Sequence, residues 1–207
     1  MNEKTIIFIR HGETLWNKER RYQGQLDSPL SAQGLLQAEQ VGEFLRKRPI
    51  DVVYSSDLKR ALLTAESIAK HHQLSPLADQ RLREMSFGVW EGLTRKEAKA
   101  KYPDLWIARG DDHLNTRIPQ GELPHEVIQR LRSFLAECTS KAEHQTIVVV
   151  SHGGTLRFTL AELMSMPLEQ SSCLKQSNTG LSELIFTEHQ QNCRWEVVCL
   201  NSTGHLR

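Results

Sequence analysis

Two unbroken apolar runs interrupt the mixed hydrophobic and polar pattern of this chain, at residues 6–9 and 146–150. Short runs rich in β-branched residues predict strands covered on both faces, as in a parallel sheet. Each run ends in a histidine followed by glycine: Arg10, His11 and Gly12 after the first, Ser151, His152, Gly153 and Gly154 after the second. Glycine there marks a sharp exit. Both histidines are therefore expected at the carboxyl ends of strands, and a shared site requires those strands to be neighbours.

Between and after these runs the period changes. Ser31 opens a helical pattern with Leu35, Ala38, Val41, Phe44 and Leu45 on one side, stopped by Arg46, Lys47, Arg48 and Pro49. Cations in a last turn before proline fit a helix end better than a binding patch. A short strand at 51–54 precedes a helix with an Ala61, Leu62, Ala65, Ile68 and Ala69 stripe, which Ser56 or Asp57 can cap and whose first turn holds Arg60. Residues 81–121 are less regular: 87–92 read as a loop, and Thr94 with Glu97 forms a capping-box signature. A long helix from about Glu122 carries Val127, Ile128, Leu131, Phe134, Leu135 and Cys138, and the tail at 180–187 and 194–200 alternates like an edge hairpin. Alternating strands and helices predict a three-layer α/β/α sandwich with a mainly parallel sheet and an antiparallel edge strand. The whole span, 1–207, is expected to be one domain, with a lid or substrate-facing subregion at about 84–121.

Composition narrows the partners. With 207 residues, a quarter of them charged, and a formal net charge of +1, the chain has no global electrostatic footprint for nucleic acid or anionic lipid. No run approaches a membrane span, and Met1, Asn2, Glu3 and Lys4 lead into a strand without a signal-peptide core, so a cytoplasmic protein with a small-molecule partner is expected. The four cysteines lack zinc-site spacing and read as free thiols. Oligomeric state is not legible.

In open α/β sheets ligands gather at the carboxyl ends of the strands. A neutral imidazole can attack phosphorus, and an adjacent guanidinium can hold phosphoryl oxygens, so Arg10 and His11 hint at phosphoryl transfer. On residue type alone Glu13, Glu84 and Glu91 are equal candidates for an acid. The ordered segments RHGET at 10–14, SDLKRA at 56–61, LREMSFGVWEG at 82–92, SHGG at 151–154 and NSTGHL at 201–206 resemble the histidine phosphatase superfamily, which includes cofactor-dependent phosphoglycerate mutases.

That resemblance implies a phosphoglycerate mutase-like fold and assigns roles. His11 matches the nucleophile, Arg10 and Arg60 the phosphate-binding arginines, and Asn17 a donor to the phosphate. His152 matches the second histidine, which when protonated adds charge where it develops in the transition state. Glu84 matches the acid and base residue. Gln23 and Gly24 are expected to face the substrate. No metal and no cofactor are implied. The compact segment after the acid and the Tyr102, Pro103 and Trp106 spacing resemble the phosphatase branch, so the expected activity is hydrolysis of a small phosphorylated metabolite. Mutase activity and a non-catalytic phosphate-binding role are the alternatives. Arg95, Lys96, Lys99, Arg109 and Arg117 are candidate contacts to an acidic substrate, although charges on an amphipathic helix usually form a solvated face.

Overall fold

The computed structural model describes residues 2–189 and 192–206; Met1, Gln190, Gln191 and Arg207 lie outside the described residues. The first apolar run lies in β1 (Asn2–Arg10) and the second in β4 (Thr146–Ser151), and the two strands pair in parallel with Arg10 opposite Ser151. β2 (Val52–Ser55) flanks β4, and the two-residue β3 (Leu77–Ala78) closes that edge. On the other side β5 (Leu181–His189) and β6 (Asn192–Ser202) form an antiparallel hairpin, giving the order β3-β2-β4-β1-β5-β6. The alternating tail thus forms the expected hairpin at the sheet edge, with β5 running against the parallel strands.

Side chains of β1 alternate between the faces and define two cores. Ile7 and Ile9 pack with Val148 and Val150 under α2 (Ala32–Leu45) and α3 (Lys59–Ala69). Ile6 and Phe8 pack with Val149 under α6 (Pro124–Ser140) and α7 (Gly153–Leu163). The result is the expected three-layer arrangement. Residues 84–121 carry α4 (Arg95–Lys101) and α5 (Pro103–Asp111), with a separate cluster around Trp90, Ala98 and Ile118.

The buried face of α2 differs from the predicted stripe. Leu35 and Phe44 are 51% and 55% exposed, while Gly34, Ala38, Val41, Gly42 and Leu45 face inward. Glycine lets α2 approach α3: a Cβ at Gly42 would stand 2.1 Å from the Ser67 carbonyl oxygen. The cap of α3 also differs. Leu58 takes the cap position without a side-chain bond, and Asp27 accepts from the Lys59 N–H at 3.0 Å. Asp57 instead pairs with Arg83, at 2.7 and 2.5 Å. No described helix is long and apolar enough to cross a membrane.

Candidate active site

His11 leaves β1 with its backbone still on the ladder, its N–H donating to Ser151 O at 3.0 Å, while Gly12 N–H donates to Thr64 Oγ1 at 3.1 Å. The imidazole is 3% exposed, and its Nδ1 lies 2.7 Å from the Gly12 carbonyl. A carbonyl can only accept, so Nδ1 carries the proton and Nε2 keeps its lone pair. Burial, followed by the Arg60 and Arg10 guanidinium groups, holds the His11 pKa well below its ordinary value. The ring is neutral at pH 7.

His152 occupies the cap position of α7 and packs against His11, ring centroids 5.1 Å apart and planes at 59°. Arg60 Nε–H donates to its Nδ1 at 3.3 Å, which leaves the neutral ring's proton on Nε2. That Nε2 is buried and has no partner among the described residues. Burial and then Arg60 push the pKa of His152 well below normal, so in the site without a bound anion the ring is neutral and offers an N–H dipole.

The cations are fixed by backbone carbonyls. Arg60, in the first turn of α3 and 1% exposed, donates to Leu26 O and Gly24 O, each at 2.7 Å, and to Asp27 at 3.1 Å. With Nε on His152, one N–H of Arg60 remains free. Arg10 donates to Gln176 O at 2.8 Å, and its buried Nε lacks a partner among the described residues. Burial lowers its pKa to about 10, with Glu84 opposing the shift, so it stays charged.

Geometry separates the three glutamates. Glu13 accepts from Ser31 Oγ at 2.7 Å, and Glu91 ties down the N–H groups of Gln25 and Phe87 at 3.1 and 2.9 Å. Only Glu84 of the three lines the pocket that His11 opens into, a cavity of about 420 Å³ shared with Arg10, Arg60 and Asn17. Its Oε1 accepts from Met85 N–H and Thr155 N–H, both at 2.9 Å, and its Oε2 from Gly154 N–H at 3.0 Å. The carboxylate therefore sits on the start of α7, where N–H groups have no helical partners. A side chain at Gly154 would block it, since a Cβ there would lie 2.7 Å from Oε1.

Gln23 and Gly24 also line this pocket, and the buried Oε1 of Gln23 has no partner among the described residues. Asn17 is both a helix former and a pocket residue. In the capping box that opens α1 (Leu15–Glu19), its Oδ1 accepts from Thr14 N–H at 3.1 Å and from Asn178 Nδ2 at 3.2 Å. With the oxygen engaged twice, its NH₂ is left for a ligand. Asn178, which sequence reasoning missed, also donates to the His11 carbonyl at 3.0 Å. Arg157 and Lys175 were missed as well and line the same pocket. Arg157 follows Gly153 by one turn of α7, a spacing that could have flagged it. Two histidines, two buried guanidiniums and a carboxylate thus converge beside strand ends, a set suited to holding a tetrahedral anion and moving a proton beside it. Among the described residues no group of three or more His, Cys, Asp or Glu side chains could hold a metal ion.

The chain is similar to known proteins over nearly its whole length. The model of the histidine phosphatase superfamily (branch 1) matches residues 6–202. A probable phosphoglycerate mutase from Erwinia tasmaniensis is 38% identical, over 97% of this chain and 94% of that protein. Phosphoserine phosphatase 1 of Hydrogenobacter thermophilus is 33% identical, over 97% and 93%. Among solved structures, a mycobacterial glucosyl-3-phosphoglycerate phosphatase complexed with VO3 is similar with a TM-score of 0.86 and 32% identity, covering 97% of this chain and all of that one.

Proposed function

The chain belongs to the histidine phosphatase superfamily, and on that premise we propose that it is a metal-independent phosphomonoesterase working through a phosphohistidine on His11. The observation that carries the reading is the state of His11: a buried neutral ring whose Nδ1 proton is tied to Gly12 O, leaving Nε2 as a nucleophile between two cations. Arg10, the free N–H of Arg60, the Asn17 amide and the Nε2–H of His152 hold the phosphoryl oxygens. Their charge and dipoles are in place before the reaction, where they stabilise the transition state without reorganisation.

In the first half-reaction the Nε2–P bond forms as the ester P–O bond breaks, and the Glu84 carboxyl proton passes to the leaving alcohol oxygen. In the second, water attacks phosphorus and gives its proton to Glu84. The P–N bond then breaks, releasing inorganic phosphate and restoring both groups. One carboxyl group serves both steps, and general acid–base help of this kind is typically worth ~10² to 10⁴ in rate.

The mutase name of the Erwinia relative supports a second reading, in which a phosphorylated acid rather than water receives the phosphoryl group. One experiment separates the readings. p-Nitrophenyl phosphate and phosphoglycerates are supplied in chelator to the wild type and to His11→Ala, scoring phosphate release and isomer formation together. Hydrolysis that survives chelation and is abolished in His11→Ala is expected. Isomer formation without phosphate release, or activity restored only by a divalent ion, overturns the proposal.

A further inference from the structure

We propose that the alcohol part of the substrate is a flat ring bearing a carboxylate, bound in a cleft beside the phosphoryl pocket with Trp90 and Arg109 as its specificity contacts; this rests on the phosphomonoesterase reading. The cleft, about 400 Å³, shares Tyr22, Phe87 and Arg157 with the phosphoryl pocket, so an ester held at His11 extends into it. Its volume lies at the small end of ligand sites, ~300–1,000 Å³, which suits one ring and a short arm.

Its wall is aromatic. Tyr22 stands 5.0 Å from Phe87 and 5.3 Å from Trp90, and Trp90 stands 5.5 Å from Trp106. Such a surface favours a flat ring by stacking. Trp90 is 4% exposed, and its indole N–H has no acceptor among the described residues. A buried donor without a partner is costly, and an oxygen on the ligand would satisfy it.

The charge requirement comes from Arg109. It lines the cleft half-buried, donates to the Thr116 carbonyl, and has no carboxylate within 4 Å among the described residues. Burial lowers its pKa, as expected for a cation without a counter-charge. Arg95 and Arg157 line the cleft too, Arg95 exposed to water and Arg157 at the phosphoryl side donating to Gly153 O at 3.2 Å, whereas Arg117 pairs with Glu126 and Arg21 with Glu97, each at 2.8 Å. A partly desolvated guanidinium left unpaired in a cleft fits a planar anion from the ligand.

The test compares 4-(carboxymethyl)phenyl phosphate with its neutral isostere, 4-(carbamoylmethyl)phenyl phosphate, which differ in charge at the far end of the ring. We expect kcat/KM to favour the acid by about tenfold or more, the scale of one charge-assisted hydrogen bond. Arg109→Gln should collapse that ratio towards one, while Arg109→Lys, which keeps the charge without the planar fork, retains part of it. Trp90→Phe keeps the ring but removes the N–H, and should lower kcat/KM for both esters several-fold relative to glycerol phosphate. Equal use of the two esters by the wild type overturns the inference without needing any variant to fold, and leaves the phosphatase reading standing. Absence of His11-dependent p-nitrophenyl phosphate hydrolysis would instead remove the reading beneath it.

Discussion

Two buried neutral histidines should make this protein lose stability on mild acidification, well before its carboxylates titrate. His11 and His152 are held well below the ordinary imidazole pKa in the folded state, mainly by burial and then by arginine. In the unfolded chain each titrates near ~6.5. Below that pH the unfolded state binds protons that the folded state refuses, so stability is full above the unfolded pKa and falls as pH drops towards the folded one. Between pH 7.5 and 5.5 each fully buried imidazole removes about 1.4 kcal/mol, or about 2.7 kcal/mol for the pair, on the linkage relation of ~1.36 kcal/mol per pK unit. The carboxylates with shifted values, such as Glu126 held down at about 2 by Arg117, lie outside this window. His72 and His205 shift in the same direction and add a smaller slope of the same sign. Urea unfolding in phosphate-free buffer at pH 7.5, 6.5 and 5.5 measures the effect, and His11→Gln should remove about half of the fall. An unfolding free energy that stays flat across this range would refute the argument from buried neutral rings.

Two further outcomes test single contacts. Glu84→Gln should slow hydrolysis of an alkyl phosphate by ~10² or more while affecting p-nitrophenyl phosphate much less, because a good leaving group needs no proton; equal slowing of both esters would remove Glu84 as the acid. Gly42→Ala should lower the melting temperature by several degrees, since overpacking against the Ser67 carbonyl, at about 1–3 kcal/mol, exceeds the ~1 kcal/mol gained in helix propensity. A raised melting temperature would mean that α2 and α3 separate without cost.

What was legible in the sequence was what local order encodes. The apolar runs ending in His11 and His152 identified strands and their exits, and the position of Arg60 fixed it in a first turn. Contacts made across the chain were not legible. Asn178 meets the carbonyl of a residue 167 positions away, and Asp27 supplies the cap of α3 from 32 positions away. The α2 stripe failed for a related reason: hydrophobicity pointed to Leu35 and Phe44, whereas the packed face is decided by which positions let a neighbouring backbone approach. Among Glu13, Glu84 and Glu91, residue type could not choose, because the choice lies in which carboxylate a distant helix start receives. The charged set Arg95, Arg109 and Arg117 is likewise uniform along the chain, whereas in the fold Arg117 pairs with Glu126, Arg95 is exposed and Arg109 is half-buried in the cleft.

The register of β1 and β4 has one consequence for how such a site can change. His11 and His152 each follow a paired position, Arg10 and Ser151, on adjacent parallel strands. Their separation is therefore inherited from the hydrogen-bonding repeat of the sheet, about 4.8 Å, one of the least variable lengths in proteins. Side-chain substitutions elsewhere cannot easily stretch it. The residues proposed to meet the alcohol, by contrast, hang mostly from the irregular segment at 87–121, which begins after Glu84. Reacting groups and recognition surface are thus carried by parts of the chain with different tolerance for change, and exchange of that segment should redirect the enzyme to another ester while the distance between its two histidines stays where the backbone ladder sets it.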